Sequence, residues 1–127
     1  MIITKEQRAE IKTDAQVFEW VKAHAREQGC KASVDSLEGN PPRCMYRTPQ
    51  GLSCFVGCLI TNEEYRENFE GIAADGLIKT INNLDERSLE DLSKFIDTFK
   101  DLLVKLQNVH DSCPVEEWEE RFAELVY

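Results

Sequence analysis

Five cysteines and two histidines are the residues of this 127-residue chain whose chemistry could reach beyond packing. Cys44, Cys54, Cys58 and Cys113, with His110, offer thiolate sulfur and imidazole nitrogen, the donor set of a zinc site. Zinc knuckles place two ligands roughly two to four residues apart. Cys54-x3-Cys58 and His110-x2-Cys113 approach that spacing, and Cys30 and His24 are further donors. On a strand, however, Cys54 and Cys58 would lie about 13 Å apart and could not share an ion. Unligated cysteine behaves as a small buried hydrophobe, so core thiols are expected, with neither metal nor other cofactor. A nucleophile pair such as Cys54 with His110 needs a contact in space that no spacing supplies. Adjacent residues on a helix do not face each other, so His110 and Asp111 predict no relay. Dinucleotide, P-loop, HExxH, GxSxG and EF-hand patterns are all missing from the sequence. The chain is therefore not expected to be an enzyme.

Charge points to binding. Residues 1–60 hold eight Lys/Arg and seven acids, a net of +1, whereas residues 61–127 hold seven and 17, a net of −10. Together these give the formal charge of −9. An acidic half repels phosphate backbones and attracts basic partners, so direct nucleic-acid binding is not expected. Lys79, Lys94, Lys100 and Lys105 interrupt the acids, which weighs against mimicry of a phosphate backbone. Were a small molecule or nucleotide sequestered, Arg43, Arg47, Tyr65 and His110 are the candidates to converge on it, or on a partner. No apolar run nears the roughly 18–20 residues of a membrane span. The N-terminus becomes charged at Lys5, too early for a secretory leader. A cytoplasmic protein with reduced thiols is expected.

The elements that must position these residues are mostly helical. Thr4-x2-Gln7 and Thr13-x2-Gln16 read as capping boxes, the second opening a helix over 14–28 that ends at Gly29. Thr61-x2-Glu64 reads as a third, opening a helix that Gly71 ends. At most one short helix is expected around Leu77–Ile81. Leu89, Leu92, Ile96, Phe99, Leu103, Leu106 and His110 alternate spacings of three and four, which predicts a long central helix over about 88–111. Pro114 opens a last helix with Val115, Trp118, Phe122, Leu125 and Val126 on its buried stripe. Between the helices, Cys44–Arg47 and Leu52–Cys58 flank the turn Thr48-Pro49-Gln50-Gly51. That pattern predicts a small antiparallel β-hairpin at about 44–58, with Cys44, Tyr46, Leu52, Cys54, Val56 and Cys58 on its core face and Arg47 facing out. The expectation is a single α+β domain over 1–127, its hairpin packed on the central helix.

Cys44-Met45-Tyr46-Arg47, the Gly51 turn, Cys54-Phe55-Val56-Gly57-Cys58-Leu59-Ile60, Glu64-Tyr65 and Glu70-Gly71 form one extended motif. With Leu106-Gln107-Asn108-Val109-His110-Asp111 and Trp118, it resembles a family of small uncharacterised bacteriophage proteins. The resemblance spans most of the chain except 72–95 and carries no catalytic role. It implies a phage origin and action in the cytoplasm of an infected bacterium. With the charge, it gives the expectation of an acidic accessory protein that binds a host or phage protein, for instance inhibiting a defence or nucleic-acid enzyme. A small-molecule-sequestering protein and a thiol- or zinc-dependent enzyme are the alternatives.

Overall fold

A computed structural model describes residues 2–34 and 43–125. Five α-helices carry the fold among them: α1 (Lys5–Ala9), α2 (Asp14–Gln28), α3 (Leu77–Leu84), α4 (Glu90–Ser112) and α5 (Trp118–Glu124). Short 3-10 turns at Gly57–Leu59, Glu67–Phe69, Ala74–Gly76, Arg87–Leu89 and Val115–Glu117 link them. Among the described residues, extended pairing is limited to β1 (Ser33–Val34) against β2 (Arg43–Cys44), with Ser33 opposite Cys44. The fold is therefore all-α, and the α+β expectation with a hairpin over 44–58 is wrong. No helix of the described residues is long and apolar enough to cross a membrane.

The expected turn does form, and the reason no hairpin grows from it lies in side chains far away in sequence. Gly51 adopts φ 87°, its N–H donates to the Thr48 carbonyl at 3.0 Å, and Thr48 N–H donates to Leu52 O at 2.9 Å. Beyond this closure, ladder groups on both arms are claimed elsewhere. The Glu70 carboxylate accepts the N–H groups of Tyr46 (3.0 Å) and Arg47 (3.1 Å). Gln28 accepts from Ser53 N–H at 3.0 Å and donates back to its carbonyl at 3.0 Å, while His24 Nε2 donates to that same carbonyl at 2.8 Å. These charge-assisted and side-chain bonds satisfy the backbone without a partner strand. The chain then coils, Cys58 N–H donating to Cys54 O at 3.0 Å, and residues 53–60 are buried without alternation.

Gly57 is demanded by close approach. A Cβ there would sit 2.3 Å from the Tyr46 carbonyl oxygen, a backbone atom that cannot swing aside. Gly57→Ala should lower the urea unfolding midpoint by the equivalent of about 1–3 kcal/mol through forced displacement of the 44–47 segment.

The helices follow the sequence closely. Both N-terminal capping boxes are made, and Gly29 ends α2 in the left-handed conformation at φ 67°. The Thr61–Glu64 box is also made, at 3.2 and 3.3 Å, but only a turn follows it. Glu64 is instead gripped by Arg8 of α1, Nη1 to Oε1 and Nη2 to Oε2 both at 2.6 Å. Every residue of the predicted α4 stripe, from Leu89 to His110, is buried. The helix bends at Phe99 (φ −111°, ψ 17°), one residue after Thr98 Oγ1 donates back to Lys94 O at 2.8 Å. Trp118 and Phe122 of α5 are buried and Val115 and Leu125 half-buried, while Val126 lies outside the described residues.

Candidate functional site

The last two turns of α4 present Val104, Gln107, Asn108 and Asp111 on one face, since spacings of three and four return to the same side of a helix. They form one wall of a cleft of about 450 Å³. Cys44, Met45 and Tyr46 form a second wall, the loop from Gly71 to Asp75 a third, and Cys54 also lines the cleft. Each wall is fixed from behind. Met45 N–H donates to Ala32 O at 2.8 Å, Glu70 holds the next two amides, and the Tyr46 hydroxyl donates to the Ile72 carbonyl, tying the second wall to the third.

A chain of hydrogen bonds ends at Asp111. Ala32 N–H donates to His110 Nε2 at 3.2 Å, so that nitrogen carries a lone pair and the ring proton sits on Nδ1. Nδ1–H in turn donates to Asp111 Oδ1 at 2.8 Å, and Gln107 Nε2 donates to the same oxygen at 3.0 Å. The expectation that His110 and Asp111 could not face each other is thus corrected: the buried ring turns back toward the carboxylate. Burial would raise the Asp111 carboxyl, but the His110, Cys44 and Gln107 donors together hold it below its ordinary value. Its side chain remains 42% exposed, within reach of a ligand.

The two cleft thiols, Cys44 and Cys54, are poor nucleophiles. Burial, reinforced by the Asp111 charge, pushes Cys44 up to about 11. Burial pushes fully enclosed Cys54 up to about 12, although it accepts Gly57 N–H at 3.3 Å. Both are thiols at neutral pH, and both His110 nitrogens are already engaged, so no nucleophile–base pair is assembled.

Of the zinc candidates, Cys44 and His110 do meet. With Asp111 they place one ligand atom each within 4.8 Å of one another. Cys54, Cys58 and Cys113 do not join them; Cys58 is buried and donates to Phe55 O at 3.2 Å. The donor set does not fit a metal. An ion on Nδ1 must expel the proton shared with Asp111 to Nε2, where Ala32 N–H already points. The strand geometry that argued Cys54 and Cys58 apart is also corrected, because they sit on successive turns of a coil.

The four residues named for ligand or partner binding do not converge. Arg47, expected to face out, turns in: Nη2 donates to Ile60 O at 2.6 Å and Nη1 to Gly57 O, capping the carbonyls of the 3-10 turn at 57–59. Its guanidinium lies 5.4 Å from the centroid of the Tyr65 ring, and the Tyr65 hydroxyl donates to Glu70 Oε2 at 2.6 Å. Both are spent on structure. His110 stands behind the cleft wall rather than on it, and the Arg43 side chain lies outside what is described. Sequence reasoning missed Gln107 and Asp75 and set Asp111 aside, although the 104/107/108/111 face beside His110 was there to find.

Compared with protein-family models, curated proteins and solved structures, the chain matches none, and the chemistry of the cleft rests on its own geometry.

Proposed function

We propose that the protein acts by binding rather than by catalysis, and that the cleft beside Asp111 is its ligand site. One observation carries this reading: a carboxylate pre-oriented by His110 and Gln107 stands partly exposed in a cleft of about 450 Å³, within the size range of ligand pockets. Protonated thiols and an engaged imidazole argue against covalent chemistry there. A bacterial cytoplasm and a phage origin are the setting that the sequence resemblance implies, and a protein partner with a basic surface suits the acidic half of the chain.

Ala73 offers the test, being exposed at the cleft rim in an extended conformation that any residue adopts. Native mass spectrometry of protein freshly purified from expressing cells should show an added ligand mass that disappears on denaturation. Ala73→Phe, which fills the cleft from its rim, should reduce occupancy about tenfold or more, the equivalent of about 1.4 kcal/mol. A wild type that emerges as bare polypeptide and takes up nothing from a cell extract overturns the reading.

A further inference from the structure

We infer that the group recognised in the cleft is a protonated nitrogen, the ammonium or guanidinium of an organic cation; this rests on the cleft being the ligand site. Asp75 and Asp111 both line it, and among the described residues no Lys, Arg or His does. Lys31 places Nζ 3.2 Å from the Asp111 main-chain carbonyl rather than on its carboxylate, whose Oδ1 accepts from His110 and Gln107. Tyr46 adds an aromatic wall of the kind that accompanies cation recognition.

The placement of Asp111 runs against the helix dipole. It lies in the last turn of α4, which ends at Ser112, at the negative pole of the helix. A carboxylate there is unfavourable, and the fold spends three side chains, His110, Gln107 and Cys44, on holding it. Local rules are broken in this way where function requires it. An inorganic ion is a poorer occupant, because Asp75 stands outside the group formed by Cys44, His110 and Asp111, and the tautomer of His110 blocks a metal. A flexible organic cation can meet the Asp111 oxygens by charge-assisted hydrogen bonds while its carbon chain lies along Tyr46, Ile72 and Val104.

The cation has two possible sources, a free amine or a Lys/Arg side chain of a basic partner, and one titration separates them. Amide and side-chain NMR signals of ¹⁵N-labelled protein are followed with n-butylammonium against n-butanol, and with N-acetyl-arginine amide against its uncharged isostere N-acetyl-citrulline amide. Saturable shifts at Ala73, Ala74, Gln107 and Asn108 are expected with a cation and not with its neutral counterpart. Preference for the amine indicates a free ligand, and preference for the arginine derivative a partner side chain. Asp111→Asn, whose amide oxygen can still accept from His110 and Gln107, should keep the spectrum dispersed while weakening the cation at least about tenfold. Equal binding of charged and neutral probes, no saturable shift, or an unchanged affinity in Asp111→Asn overturns the inference. If a co-purified ligand is lost in Ala73→Phe yet no cation is preferred, the ligand site stands and its proposed charge does not.

Discussion

Glu64→Gln is expected to destabilise the protein by about 3–5 kcal/mol, because it strands the Arg8 guanidinium in the interior. The side chains of Arg8 and Glu64 are 6% and 1% exposed, and their paired contacts at 2.6 Å are joined by Arg8 Nη1 to Leu59 O at 3.1 Å. Chemical unfolding of wild type and variant measures the loss, and a loss below about 1 kcal/mol would mean that water reaches the pair. Replacing both partners with methionine should recover much of the stability, since neither charge is then buried alone. The solvent-exposed Arg26–Glu119 pair is the control, and its removal should barely move the midpoint. The pH dependence follows the same pair. Burial would raise the Glu64 carboxyl, but Arg8 and Thr61 outweigh it and hold the group below its ordinary value of 4.5. A carboxylate depressed in the folded state stabilises it fully above the unfolded value and loses that contribution as pH falls through the folded one. Stability should therefore drop on acidification below about 4.5 in the wild type, and less steeply in Glu64→Gln.

Phe55→Ala should cost about 3–5 kcal/mol, the range for emptying a buried aromatic site. Phe55 is 1% exposed, and its ring centroid lies 5.0 Å from His110, 4.8 Å from Trp118 and 5.6 Å from Phe122. It joins the coil at 54–60 to α4 and α5, and no single neighbour can fill the space it leaves. Loss of near-ultraviolet circular dichroism from Trp118 at temperatures where α-helical signal persists would register the loosened packing. Phe55→Leu, which keeps most of the volume, should cost well under half as much. The site should suffer as well, because His110 rests edge-on against this ring while orienting Asp111.

These two residues also mark where the sequence was readable and where it was not. α1, α2 and α4 announce themselves because their determinants are local: a Thr and a Gln three apart, a Gly at the end, a stripe repeating every three and four residues. The segment 44–58 carries equally local hairpin signals, and its turn obeys them. Its strands do not, since Glu70, Gln28 and His24 satisfy their backbone groups from 23 to 29 residues away. Alternation along a strand and burial on every side of a coil also look alike where nearly all residues are apolar, as from Cys54 to Ile60.

The site was half visible. Cys44 and His110 were singled out for their ligand atoms and do come within reach of each other, but the carboxylate beside them was set aside on helix geometry. That rule governs Cβ positions, whereas the His110 ring folds back over its own backbone to meet its neighbour. Arg47 and Tyr65 drew attention as the polar and aromatic groups that dominate interfaces, and both turned out to hold the walls rather than the ligand.

The contact between Ala32 and His110 is unequal in what mutation can do to it. The donor is main chain, present in nineteen of the twenty residue types, so at position 32 proline alone abolishes it outright, and size limits the rest because the methyl group is fully enclosed. The acceptor is one ring nitrogen with few chemical equivalents. Random substitution would therefore break this link almost entirely from the position 110 side, and a library selected for folded protein should tolerate small residues at 32 while still rejecting nearly everything at 110.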